Sequence, residues 1–131
     1  MQSLMERQAM FTAAMWGTIQ EAGEAVLALT DSLAEAELLG SRLTRAEVQR
    51  QLKLLASTLR SLPASARAAM PGIDWAGWRG MAVALEQEGP ARDEALWFGV
   101  HHLVPSTLAC LRADPGARLH PLHHGAGARF R

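Results

Sequence analysis

The sequence predicts an all-α protein, built as an up-and-down bundle of four helices with one short extra helix. Good helix formers dominate the composition, β-branched residues are few and Tyr is absent. Apolar residues make up 49% of the 131 residues, which is enough to form the core of one domain. Four amphipathic segments joined by short links then favour a helical bundle.

The first long helix is predicted over residues 3–29, because apolar residues recur there at helical spacing. Thr30-Asp31-Ser32 ends it, and the short extra helix follows from Leu33 to Leu39, before Gly40. Trp16 is not assigned to the buried stripe. The stripe is predicted to consist of Leu4, Phe11, Met15, Ile19, Ala22, Val26 and Leu29.

The second long helix is predicted to open at Thr44, since Glu47 three residues later completes a capping-box pattern. Pro63 ends or kinks this helix. Residues 64–73 then form a connector of one helical turn followed by Pro71-Gly72. The apolar residues of the helix repeat in steps of four and three: Val48, Leu52, Leu55, Leu59 and Leu62.

The third helix is predicted from Trp75 to Glu88, with Asp74 as its N-cap and Gly89-Pro90 as its end. Its predicted stripe is Trp75, Trp78, Ala82 and Leu85.

The fourth long helix is predicted over residues 92–112, with a bend at Pro105. Its predicted inward residues are Leu96, Val100, Leu103 or Val104, Thr107 and Leu111. Residues 1–114 therefore form the predicted bundle, and residues 115–131 form a flexible tail rich in Gly, Pro, His and Arg.

Composition indicates a cytoplasmic protein without a membrane span. The single cysteine, Cys110, excludes an internal disulfide framework and fits a reducing compartment; it is predicted to be a small buried apolar residue. The chain has no signal-like start and no apolar run of about 18 residues.

Charge is unevenly distributed in a chain whose formal net charge is zero. Residues 1–40 carry six acidic residues and one basic residue, whereas residues 41–70 carry six basic residues and one acidic residue. We expect two adjacent helices with complementary solvated faces. The alternative is a basic stripe that contacts phosphate, as in nucleic-acid-binding proteins.

The segment from Leu62 to Gln87 reads LPASARAAMPGIDWAGWRGMAVALEQ. It resembles, without a gap, the LPxxxRxxxPxIxWxxxxGM stretch of HepT-like (HEPN-domain) proteins, and fainter similarity covers about residues 10–112. The resemblance implies an HEPN-like bundle that forms a homodimer. It also implies a toxin–antitoxin pair with a minimal nucleotidyltransferase in bacteria or archaea. The matching residues are Leu62-Pro63, Arg67, Pro71, Ile73, Trp75 and Gly80-Met81.

HepT-like toxins cleave RNA without metal through Arg-x4-His, and many carry a Tyr that the nucleotidyltransferase modifies. At the matching positions this chain has Ala82, Gln87 and Gly89. Ala cannot hold phosphate and Gln cannot transfer a proton, so family-type cleavage is expected to be lost. The resemblance therefore implies a degenerate HepT-like protein that acts as a dimeric binding module for a nucleotidyltransferase or another protein. RNA stays an alternative ligand, and no cofactor is expected.

The groove of this module is expected to involve Trp75, Trp78, Arg79, Glu86 and Gln87. Trp75, Trp78 and Trp97 are predicted to be core and interface anchors because they fall on apolar stripes. Acidic residues near the site, which would repel phosphate, are Glu86, Glu88, Asp93 and Glu94.

Two alternative functions stay open. The first is a toxin-type RNase with a rearranged site that uses His101 or His102. The second is a magnesium-dependent nucleotide hydrolase, since Glu21 and Glu24 resemble the ExxE motif of MazG-type pyrophosphohydrolases. His120, His123 and His124 are a weak metal-ligand pattern, and no metal site is predicted.

Overall fold

The computed structural model describes residues 3–114, and this part of the chain is helical, with no strand. The all-α prediction is confirmed. The predicted flexible tail, the domain boundary beyond residue 114 and the three tail histidines lie outside the described residues. The elements are α1 (Leu4–Thr30), α2 (Glu35–Gly40), α3 (Arg42–Ser61), α4 (Ala64–Ala68), α5 (Trp75–Leu85), α6 (Pro90–Phe98), a π-helical segment (Gly99–Leu103) and α7 (Val104–Ala113).

One hydrophobic core lies between the longer helices. Helix α1 packs against α3 and α7, α3 also packs against α5, and α5 packs against α6. The predicted stripe of α3 is confirmed, because its five members are all buried, namely Val48, Leu52, Leu55, Leu59 and Leu62. In residues 3–114 no helix is both long and apolar enough to cross a membrane.

The predicted stripe of α1 is wrong in the first half of the helix. Leu4 and Phe11 are 73% and 71% exposed, whereas Thr12 and Trp16 are buried. Thr12 enters the core because its hydroxyl donates a hydrogen bond to the Gln8 carbonyl, at 2.9 Å. A polar side chain that is satisfied by its own helix can therefore replace an apolar one at a buried position.

At the end of α1, too, a polar residue is buried where an apolar residue was predicted to be. Leu29 is 38% exposed, whereas Thr30 is buried. The Thr30 hydroxyl donates to the Val26 carbonyl at 2.8 Å, and this bond satisfies it inside the protein. From Ile19 to Val26 the predicted stripe is confirmed.

Helix α3 begins one turn earlier than predicted. Ser41 is its N-cap, and its side chain accepts a hydrogen bond from the Thr44 backbone N–H. Thr44 therefore lies inside the first turn, and the Glu47 side chain bonds Arg50 and Gln51 instead of closing a capping box. The predicted connector after Pro63 is present as α4.

Helix α5 is capped by Asp74, as predicted, because the Asp74 carboxylate accepts a hydrogen bond from the Gly77 N–H at 2.9 Å. It ends at Leu85 instead of Glu88, and Met81 replaces Ala82 in its buried row. The link to α6 includes Gly89, whose φ of 82° and ψ of −148° lie in a region that side chains other than Gly rarely adopt.

The last helical stretch runs without a break through α6, the π-helical segment and α7. Pro105 lacks an N–H group, and its ring would clash with the carbonyl four residues earlier in a regular α-helix. The helix has a wider turn just before Pro105, where the Val104 N–H bonds the Gly99 carbonyl five residues earlier. The predicted irregularity is thus present, and the predicted inward row is buried.

Candidate binding groove between α3 and α5

A groove runs between α3 and α5 and continues towards α4. Its wider part, with a volume of about 590 Å³, includes Lys53, Leu54, Ser57, Ala82, Val83 and Glu86 in its lining. Its narrower part, of about 390 Å³, includes Ala64, Arg67 and Trp75. The two parts share Ala56, Arg60, Trp78 and Arg79, and we call the whole surface the α3–α5 groove.

The spacing of residues along α3 explains why the groove forms. Lys53, Ala56 and Arg60 follow one another at steps of three and four, which places them on one face of the helix. One turn before them, the Gln49 side chain donates a hydrogen bond to the Leu85 carbonyl at 3.2 Å, so this face points towards α5. Ala56 and Ala82 are small and leave space between the helices.

Positive charge accumulates at one end of the groove. Lys53 forms an ion pair with Glu86 across the wider part, with 3.3 Å between Nζ and Oε2. Arg60, Arg67 and Arg79 are exposed and form no ion pair within residues 3–114. The part of the groove nearest α4 is therefore lined by three cations that have no ion pair in residues 3–114, and two of them, Arg60 and Arg79, lie where the two parts meet.

The expected adjacency of α1 and α3 is confirmed, but two basic residues of α3 pair elsewhere than with α1. Lys53 pairs with Glu86, the residue after α5, and Arg50 pairs with Glu47 of its own helix. Two hydrogen bonds from Arg50 and one from Gln51 lower the pKa of Glu47 from its ordinary 4.5 to about 2. The face of α3 that carries Lys53 and Arg60 is turned to α5, so these two residues do not face the acidic residues of α1.

The two tryptophans in the groove are held by hydrogen bonds. Trp78 is 2% exposed, and its Nε1 donates to the Thr107 hydroxyl at 2.9 Å. Trp75 is half-buried, and its Nε1 donates to the Met70 carbonyl at 3.1 Å. Trp78 has no free ring face on which a base could stack, so it supports the floor of the groove as a core anchor.

Four of the five residues that the sequence assigns to a groove line these cavities, namely Trp75, Trp78, Arg79 and Glu86. Gln87 instead follows α5 in the link, and it is exposed. Ala82, which was aligned with the Arg of the HepT-like motif, is half-buried in the groove wall. Gly89 lies in the same link as Gln87, outside the groove lining.

The four acidic residues that were expected to form a negative rim do not gather on one surface of the groove. Glu86 is neutralised by Lys53, and Asp93 pairs with Arg92 at 3.0 Å. Glu88 and Glu94 are exposed and do not line the groove. The negative rim near Ala82 is therefore limited to Glu86, and the arginines outweigh it.

His101 and His102 lie on the π-helical segment and are exposed. His101 stacks on Trp97, with 3.6 Å between ring centroids, and His102 stacks on Phe98 at 4.9 Å. The His102 Nε2 atom lies 3.7 Å from the Asp74 Oδ2 atom. Sequence reasoning missed this approach, because the two residues are far apart in the chain and no motif joins them.

The other candidate residues are dispersed. Glu21 and Glu24 are exposed on α1, and Gln20 donates a hydrogen bond to Glu24 at 3.3 Å. Within residues 3–114 no three His, Cys, Asp or Glu side chains gather as a metal site would require. Cys110 is a free thiol, half-buried against the core.

Trp97 is half-buried against the core, and Trp16, which the sequence left unassigned, is 1% exposed.

Comparison of the chain with protein-family models, with curated proteins and with solved structures gave no match.

Proposed function

We propose that this protein is a degenerate HepT-like binding module that recognises a protein partner through the α3–α5 groove. In this proposal α1, α3, α5 and the continuous α6–α7 stretch form an HEPN-like four-helix bundle. The protein is a cytoplasmic homodimer, and a minimal nucleotidyltransferase is its expected partner. The dimer and the nucleotidyltransferase rest on the resemblance of residues 62–81 to HepT-like proteins.

The observation that carries the binding role is the charge of the groove. Arg60, Arg67 and Arg79 lie around one concave surface without an ion-pair partner in residues 3–114. Like charges that gather on a surface raise its potential and attract ligands of the opposite sign. A concave surface with a few charged groups around an apolar floor is a frequent form of binding site.

The chemistry of Ala82 and Gln87 supports binding without cleavage. A methyl group in the groove wall cannot hold a phosphate in the bidentate manner of an Arg side chain. A Gln amide cannot act as an acid or a base near neutral pH. Loss of a positioned acid or base alone lowers the rate of a proton-transfer step by about 10²–10⁴-fold.

The proposal is tested with RNA and the purified full-length protein, in the presence and absence of EDTA. We expect no cleavage in either condition, and we expect light scattering to give the mass of a dimer. EDTA-resistant cleavage would contradict the proposal. EDTA-sensitive nucleotide hydrolysis that is lost in Glu21→Gln would instead support the pyrophosphohydrolase alternative.

One contact favours a second candidate, the RNase with a rearranged site. A carboxylate near an imidazole can orient it for proton transfer, and the 3.7 Å between Asp74 Oδ2 and His102 Nε2 is within ion-pair distance, although longer than a hydrogen bond. RNA cleavage that is abolished by His102→Ala and weakened by Asp74→Asn would support this candidate. Asp74→Asn is the more specific test, because it removes the charge but retains a side-chain oxygen that can cap α5.

A further inference from the structure

We propose that the occupant of the α3–α5 groove is an acidic amphipathic helix of a partner protein, whose acidic residues gather at the end that contacts Arg60, Arg67 and Arg79. This inference rests on the proposed function in one respect, namely that the groove binds a protein. It adds the chemistry of the segment that is bound and its orientation along the groove.

The length and the walls of the groove fit a helix. Lys53 and Arg60 are seven residues apart on α3, which corresponds to about 10 Å along the helix axis. A bound helix covers the same length with apolar residues at positions i, i+3 or i+4, and i+7. Two aliphatic side chains offer contacts for such a ridge, since Leu54 is 39% and Val83 is 66% exposed.

The charges set the orientation of the ligand. At the wider end Lys53 already pairs with Glu86, so an acidic residue of the ligand would gain little from contact with Lys53. At the α4 end the three arginines are exposed and without an ion pair in residues 3–114. Asp or Glu side chains of the ligand are therefore stabilised at the α4 end, and neutral or apolar residues are expected at the other end.

The same surface is a poor match for RNA. Trp78 is 2% exposed and its indole is committed to Thr107, so it cannot stack on a base. Leu54 and Val83 present aliphatic carbon where a sugar-phosphate backbone would lie, and Glu86 adds a negative charge at the wall. An amphipathic helix uses both the apolar and the basic parts of the groove, whereas RNA uses only the basic part.

Two other occupants conflict with the charges. Residues 115–131 contain Arg118, Arg129 and Arg131 and no acidic residue, so the tail would bring like charge to the groove. A second copy that docked the same groove about a two-fold axis through the α4 end would place the arginines of one copy against those of the other. Like charges that face each other in an interface are unfavourable.

The test starts with an unbiased selection. A phage library of random peptides, about four helical turns long, is selected on the full-length protein. We expect enriched sequences with Leu, Ile or Phe at helical spacing and with Asp or Glu at one end. If the enriched peptides lack acidic residues, or if none is enriched, the inference is wrong.

A selected peptide is then synthesised with a fluorescein label, and its Kd is measured by fluorescence anisotropy on variants that retain the wild-type circular dichroism. We expect Arg60→Gln and Arg79→Gln each to raise Kd by about fivefold or more, and Val83→Ser by a similar factor. Arg42→Gln is the matched control, since it removes one charge from α3 outside the groove lining, and it is expected to change Kd by less than about twofold. Equal effects of the groove and control variants would overturn the inference.

Two further measurements separate the other occupants and the proposed function. Fluorescein-labelled oligouridine that binds more tightly than the peptide and loses affinity in Arg60→Gln would assign the groove to RNA. A dimer that dissociates in Arg60→Gln/Arg79→Gln would assign it to a second copy. Either result overturns the inference, whereas cleavage of the oligouridine by the wild-type protein overturns the proposed function.

Discussion

Two tryptophans that are buried to the same extent are expected to contribute differently to the stability of the protein. Trp16 and Trp78 are 1% and 2% exposed, but only Trp78 donates its Nε1–H to a partner, the Thr107 hydroxyl. The Nε1 atom of Trp16 is buried and has no hydrogen-bond partner within residues 3–114. A buried donor without an acceptor costs free energy, so Trp16 contributes less than its apolar area suggests.

We therefore predict that Trp78→Phe lowers the free energy of unfolding more than Trp16→Phe does. The two variants lose similar volume, but only Trp78→Phe breaks a buried hydrogen bond and leaves the Thr107 hydroxyl without its donor. The difference is expected to be about 1–2 kcal/mol. Urea denaturation of both variants measures it, and an equal or reversed order would contradict the prediction.

Two helical glycines differ in the space around them. A Cβ atom at Gly99 would lie 2.7 Å from the Met81 Sδ atom and 3.0 Å from a Leu52 methyl carbon, whereas a Cβ atom at Gly80 would meet nothing within 4 Å. We predict that Gly99→Ala destabilises the protein by about 1–3 kcal/mol through overpacking. Gly80→Ala, the matched control, is expected to stabilise it by about 0.5–1 kcal/mol, because it favours the helical backbone. Thermal denaturation of the two variants should show shifts of opposite sign.

At the residue scale, sequence reasoning recognised the apolar side chains but not the polar ones that enter the core. Thr12 and Thr30 are buried because each hydroxyl bonds a carbonyl of its own helix, and this leaves no mark in a pattern of apolar residues. Phe11 is apolar and Thr12 is polar, so a pattern of apolar residues predicts the reverse of their observed burial. Exposure depends on which side of α1 meets α3, and hydrophobicity alone does not determine this side.

The exposed pair of Glu47 and Arg50 on α3 gives a prediction that depends on pH. Because its hydrogen bonds with Arg50 and Gln51 hold the pKa of Glu47 at about 2, below its ordinary 4.5, the pair favours folding above pH 4.5. This contribution is lost as the pH falls from 4.5 towards 2. We predict that Arg50→Gln raises the pKa of Glu47 towards 4.5, which an NMR titration of the Glu47 carboxyl carbon measures. Arg45→Gln, which removes a neighbouring cation that bonds the Leu39 carbonyl, should leave this pKa unchanged.

At the scale of elements, the order of the long helices was predictable and their ends were less so. Asp74 was identified as a cap because an Asp before an apolar helix has one obvious role. The start of α3 was placed at Thr44, since both Ser41 and Thr44 can cap a helix and the choice depends on which hydroxyl reaches an N–H. The irregularity at Pro105 was predictable, but its π-helical form, in which the Val104 N–H bonds the Gly99 carbonyl, was not.

The molecule as a whole is expected to unfold in one cooperative transition. The buried residues of α1, α3, α5, α6 and α7 belong to one hydrophobic cluster, so none of these helices has a separate core. We predict that helical circular dichroism and Trp fluorescence give the same transition temperature. Leu52→Ala should lower both together, by removing a side chain at the centre of the cluster. Two separate transitions would show that the helices do not share one core.

The groove could be predicted from the sequence only in part. The frame from Leu62 to Met81 drew attention to Trp78 and Arg79, but nothing in the sequence indicates that Arg60 and Arg67 face them. Their approach depends on the packing of α3 and α4 against α5, which sequence spacing does not encode. The charge balance of residues 41–70 indicates the excess of cations, but not that Arg60 and Arg67 line a groove with α5.

The backbone at Gly89 limits which residues this position accepts. Ala82 and Gln87 do not have positive φ, so an Arg and a His could occupy those two positions without backbone strain. Gly89 has a φ of 82°, and a Tyr there would cost about 1–3 kcal/mol unless the link changed its path. If the Arg, His and Tyr of the HepT-like motif were introduced into this chain, Ala82→Arg and Gln87→His are expected to leave the backbone unstrained, whereas Gly89→Tyr is expected to lower the stability.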